Sequence, residues 1–130
     1  MTAMKTQKLL YYVQAWSLVW REKPLFDDRI EAWAAGPVIP TVYQEHRGRY
    51  LVGPGDLVPS PRSLDDEERA ICDVVLRHYG HLSAEALSDL THVEEPWRRA
   101  RDGLAATERG TREIDPLIMA DFYTALGRAP

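Results

Sequence analysis

The chain has 130 residues, 45% of them hydrophobic and 28% charged, with a formal net charge of −4. This is one globular domain's worth of chain, long enough to bury a core without staples. The acidic balance argues against general affinity for nucleic acid or acidic membranes, which need a dense positive field. The single cysteine, Cys72, excludes an internal disulfide and fits a reducing compartment.

The apolar run LLYYVQAWSLVW at 9–20 contains Gln14 and Ser17. It is too short for a bilayer core of about 30 Å, and no small-residue cleavage site follows it. A cytoplasmic protein with no membrane partner is expected, and Met1 and Met4 leave two candidate starts. Residues 5–21 are expected to form a helix, because Leu9, Val13, Trp16 and Trp20 step by four, three and four onto one face. Leu10, Tyr12, Leu18 and Val19 make the rest apolar too, as in a central core helix. Glu22-Lys23-Pro24 stops it, since a residue before proline avoids the helical region.

Asp27-Asp28 reads as a turn. The weak alternation of Phe26, Ile30, Ala32 and Trp33 predicts a short β-hairpin or extended segment near residues 24–38. Gly36-Pro37 forms a corner: Pro37 fixes one backbone angle and Gly36 permits conformations other residues avoid. Pro40 then opens a short helix over 41–47, ended by Gly48. Residues 51–63 hold five prolines and glycines and predict a stiffened surface loop. Ser63 is the expected cap of a helix that opens on Leu64-Asp65-Asp66-Glu67-Glu68 and ends at Gly80. Ser83 caps the next helix, Pro96 opens another, and Asp115-Pro116 starts a last one. The expected fold is mainly α, a compact single domain over 1–130 with about six helices.

No enzyme signature emerges. His78, His81 and His92, with Asp89 nearby, match no zinc spacing. His78 serves more simply as a last-turn cation. Cys72 falls in an apolar helical pattern and is expected to be a buried, inert thiol. Gly53-Pro54-Gly55 lacks the residues of a phosphate loop. The acid pairs Asp27-Asp28, Asp65-Asp66 and Glu94-Glu95 are assigned to caps, turns and solvated faces. Trp97-Arg98-Arg99-Ala100-Arg101 is a basic cluster, but adjacent helical residues point apart and acids surround it, so nucleic acid is not the expected partner. In THVEEPW at 91–97, Thr91, His92, Pro96 and Trp97 read as a structural corner, with His92 or Glu94 capping the following helix.

Three blocks resemble a known family. KLLYYVQAW (8–16, with Tyr12 and Trp16), PLFDDRIEAWAAGPVIPTVYQEHRG (24–48) and LSAEALSDLTHVEEPW (82–97) are similar, in the same order, to the Panacea or SocA-like antitoxin domain, over most of residues 7–100. The family carries another helix before its K-L-L-Y-Y motif. Only Thr2 to Thr6 precede that motif here, so a shortened first element is expected. Ala35 stands where an aromatic is common, and Ala15 where glycine is. The resemblance implies a mostly helical antitoxin that binds a toxin encoded beside it, without a cofactor, and it does not name the toxin.

Tight neutralisation needs aromatic anchors within a polar rim. The candidate contact residues are Trp33, Gly36, Pro37, Tyr43 and His46, with Arg47 on the rim. One rival is a ligand-binding domain or enzyme, which would bring Tyr12, Gln14, Glu31 and His46 into one pocket. The other is a phage or host docking adaptor without a toxin. A homodimer would form if the apolar first helix needed a second copy to cover it.

Overall fold

A computed structural model describes residues 1–47 and 64–127, apart from the His46 side chain. The predicted 51–63 loop, Ser63 included, therefore lies outside the described residues. Helix α1 (Ala3–Trp20) starts where the Thr2 hydroxyl accepts from the Lys5 amide at 3.1 Å. It is buried on nearly every side by α3 (Asp66–Tyr79), α4 (Ala84–Val93), α6 (Pro116–Leu126) and the small sheet. Tyr11, Tyr12, Ala15 and Trp16 have no accessible surface, while Trp20 is half-buried and leans on Trp16. The apolar coat that raised the prospect of a homodimer is thus covered largely from within the chain.

The hairpin is real. Strands β1 (Glu31–Trp33) and β2 (Gly36–Val38) pair antiparallel, with Glu31 opposite Val38 and Trp33 opposite Gly36. Residues 112–114 run along the other edge of β1, where the Ala32 amide donates to the Arg112 carbonyl and the Ile114 amide to the Ile30 carbonyl, both at 2.8 Å. That cover removes an open strand edge. Helix α2 (Pro40–His46) follows, with Pro40 at its first turn as expected.

The start of α3 corrects one expectation. Its cap is Asp65, not Ser63. The Asp65 carboxylate accepts from the Glu68 amide at 2.7 Å, and the Glu68 carboxylate accepts from the Asp65 amide at 3.1 Å. This reciprocal box satisfies two otherwise orphaned donors. Ser83 caps α4 and Asp115 caps α6, as read from the sequence. Helix α5 (Glu95–Ala100) carries Pro96 in its first turn, but no side chain caps it. Cys72 is half-buried rather than buried, and burial, then Asp73 and Glu68, push its thiol upward. Among the described residues, no helix is long and apolar enough to cross a membrane.

Candidate functional site

The three sequence blocks converge on the hairpin. Its loop is only Ala34-Ala35, and neither residue has a positive φ; the left-handed conformation falls to Gly36, at φ 128°. Two-residue hairpin loops favour turns with positive φ inside the loop, so this turn needs outside support. It receives it at four consecutive carbonyls. The Arg101 guanidinium donates to Ala32 O at 3.0 Å, and the Trp97 indole to Trp33 O at 2.9 Å. His92 Nε2 lies 3.0 Å from Ala34 O, and the Ser88 hydroxyl donates to Ala35 O at 2.6 Å. Four side chains of 88–101 thus hold successive peptide units of the turn.

The anchors are themselves locked. The rings of His92 and Trp97 lie 3.9 Å apart, and the Arg101 guanidinium sits 5.2 Å from the centre of the Trp97 ring. Arg101 is buried with no carboxylate partner among the described residues, and donates also to the carbonyls of Ala105 and Glu108. The basic cluster is therefore dispersed: Arg101 is internal, while Arg99 pairs with Glu95 at 3.2 Å on the surface.

Beneath the corner, Gln7 accepts from the Ile39 amide at 2.8 Å, and Lys8 lies against Gly36. A Cβ at position 36 would fall 2.8 Å from Lys8 Cε, so glycine is needed there for space as well as for φ. Lys8 is 1% exposed, and desolvation lowers its pKa to about 8. Gly36 and Pro37 are both buried and support the hairpin from inside.

Above the corner, Trp33 and Tyr43 meet edge to face with ring centres 4.9 Å apart, a favoured aromatic geometry. The Trp33 indole donates to the Glu31 carboxylate at 2.9 Å, which fixes the ring. Both rings line a cavity of about 280 Å³ with Met4, Ala35 and Val38, and Arg109 lies on its wall. Met4 and Ala35 are exposed, so the apolar floor opens outward. Arg47 is exposed at the end of α2. The structure brings Trp33 and Tyr43 together; Met4, Val38 and Arg109 were not anticipated, and nothing in their sequence spacing links them.

A second constellation lies in the core. The Tyr12 and Tyr123 hydroxyls both donate to Glu94 Oε1, at 2.7 and 2.8 Å, and the Tyr11 and Tyr123 hydroxyls are 2.9 Å apart. Tyr12 stacks on Tyr79, whose hydroxyl accepts from the Trp16 indole at 3.1 Å. Glu94 stands at the N-cap position of α5, but its side chain is buried and makes no capping bond, which corrects its reading as a side-chain cap or part of a solvated face. Desolvation raises its pKa, opposed by the two tyrosine hydrogen bonds. Burial likewise raises Tyr11, Tyr12 and Tyr123, and lifts Tyr79 to about 12. These groups satisfy one another away from solvent, as buried polar groups must. The other residues of the enzyme reading are apart from them: Gln14 holds the backbone of Leu25 and Phe26, and Glu31 pairs with Arg29 at 3.0 Å. Among the described residues, no three His, Cys, Asp or Glu side chains converge to hold a metal.

The comparisons agree with this architecture. The family model described as "Antitoxin SocA-like, Panacea domain" matches residues 6–98, which take in most of α1, the hairpin and the Thr91–Trp97 corner. Antitoxin SocA of Caulobacter vibrioides (strain NA1000 / CB15N) is 32% identical, across 89% of this chain and 69% of that protein. No solved structure matches the chain significantly. The chain belongs to the SocA-like antitoxin family and carries its Panacea domain.

Proposed function

We propose that this protein is an antitoxin that neutralises a protein toxin encoded beside it by binding it directly in the cytoplasm, without enzymatic chemistry of its own. The observation that carries this reading is the half-buried Trp33–Tyr43 pair, which lines an open cavity beside a hairpin whose turn is held at four carbonyls. Rigid aromatic anchors bind tightly because little side-chain and backbone freedom is lost on association. In this reading Trp33 and Tyr43 are the central contacts, His46 and Arg47 are further contact candidates at the end of α2, and Gly36 and Pro37 hold the hairpin in shape.

The reading is tested by expressing the neighbouring gene alone and together with this chain. Arrested growth that co-expression restores supports it. A neighbour that is harmless alone would overturn it in favour of a docking adaptor.

A further inference from the structure

The cavity beside Trp33 and Tyr43 carries a charge asymmetry that specifies its occupant. Its floor is apolar, made by Met4, Trp33, Val38 and Tyr43. Its volume of about 280 Å³ lies just below the range of about 300–1,000 Å³ of most small-molecule pockets. One large side chain suits it better than an extended ligand.

The nearby charged side chains are already held, one of them by an opposite charge and the others by backbone. The Glu31 carboxylate is taken by Arg29 and the Trp33 indole. The Glu108 carboxylate accepts from the Ala105 amide, and the Arg112 guanidinium donates to the Asp102 carbonyl. Arg109 is the charged residue among those that line the cavity; it is exposed there and has no hydrogen-bond or ion-pair partner among the described residues. A cation left unpaired beside an apolar pocket complements an anion placed next to an apolar anchor.

We propose that this cavity receives a large apolar side chain of the partner protein, and that Arg109 engages a carboxylate adjacent to that side chain. The proposal rests on the direct-binding reading and names the chemistry of the segment bound.

The test uses the full chain and three capped pentapeptides: Gly-Gly-Phe-Asp-Gly, Gly-Gly-Phe-Lys-Gly and Gly-Gly-Ala-Asp-Gly. Binding is followed by the NMR resonance of the Trp33 indole N–H. The phenylalanine–aspartate peptide is expected to shift that resonance and to bind about fivefold tighter than the lysine peptide, the scale of a good exposed ion pair. The alanine peptide is expected to leave it unmoved. Arg109→Glu, an exposed substitution, is expected to invert the aspartate–lysine preference. No shift with either phenylalanine peptide, or an unchanged preference in Arg109→Glu, would overturn the proposal. If co-expression still relieves toxicity in that case, the antitoxin reading stands and only the anchor fails. Peptide selectivity without a toxic neighbour would show the reverse.

Discussion

The Trp97 indole donates to the Trp33 carbonyl at 2.9 Å across 64 residues of chain, joining the corner between α4 and α5 to the strand that carries Trp33, one ring of the aromatic pair. Trp97→Phe keeps an aromatic body but deletes this donor. Leaving a desolvated carbonyl unpaired costs about 1–3 kcal/mol. A stability loss of that size is expected in chemical denaturation, with faster hydrogen exchange of the Ala32 amide. Unchanged exchange would mean that the hairpin does not depend on this anchor.

Gly36→Ala tests the corner itself. At φ 128° a side chain is strained, by about 1–3 kcal/mol. The new Cβ would also meet Lys8 Cε at 2.8 Å. A lower melting temperature is expected; a neutral effect would show that the hairpin can adopt another turn.

Lys8 gives a prediction with a pH signature. Its folded pKa of about 8 lies below its ordinary 10.5, so the folded state holds this proton less tightly than the unfolded chain. The cost of burying the ammonium is full below about pH 8 and is relieved as pH rises from about 8 to 10.5. That difference corresponds to about 3 kcal/mol as an upper bound. Lys8→Met is therefore expected to be more stable than wild type at neutral pH, with the gap closing in alkali. Parallel denaturation series across this window check the sign.

Glu94 has the opposite charge and its own window. Its folded pKa is raised, so its protonated form is favoured in the folded state. Its contribution is greatest below the ordinary carboxylate pKa and falls as pH rises through the folded value. Glu94→Gln stays neutral throughout. Its stability relative to wild type is expected to improve as pH rises above the ordinary carboxylate range and through the raised folded value. A difference that does not change with pH would contradict the assigned burial of the charge.

Much of this architecture was legible locally. Pro40, Ser83 and Asp115-Pro116 act within a single turn, and each helix start lies where its residues put it. The α3 cap was misread because Ser63 and Asp65 both precede acidic residues, and only the reciprocal bond with Glu68 chooses between them. Glu94 looked solvated beside Glu95. At a helix junction the two diverge, and the tyrosines that receive Glu94 lie far away in sequence, at 12 and 123. That Trp33 and Tyr43 could meet was legible, since they lie ten residues apart around a rigid corner, and their rings do pack together. Met4 and Arg109 reach the same cavity from the first helix and a late loop, a convergence set by tertiary packing alone.

The central claim is that the Trp33–Tyr43 surface binds the toxin. Calorimetric titration of the neighbouring gene's product into the wild-type chain and into Tyr43→Ala tests it most directly. The account predicts tight binding by the wild type. It predicts at least tenfold weaker binding by Tyr43→Ala, the loss of about 1.4 kcal/mol or more typical of a central aromatic contact, with the hairpin still folded by circular dichroism and hydrogen exchange. Equal affinity of the two proteins, or no binding by the wild type, would contradict it.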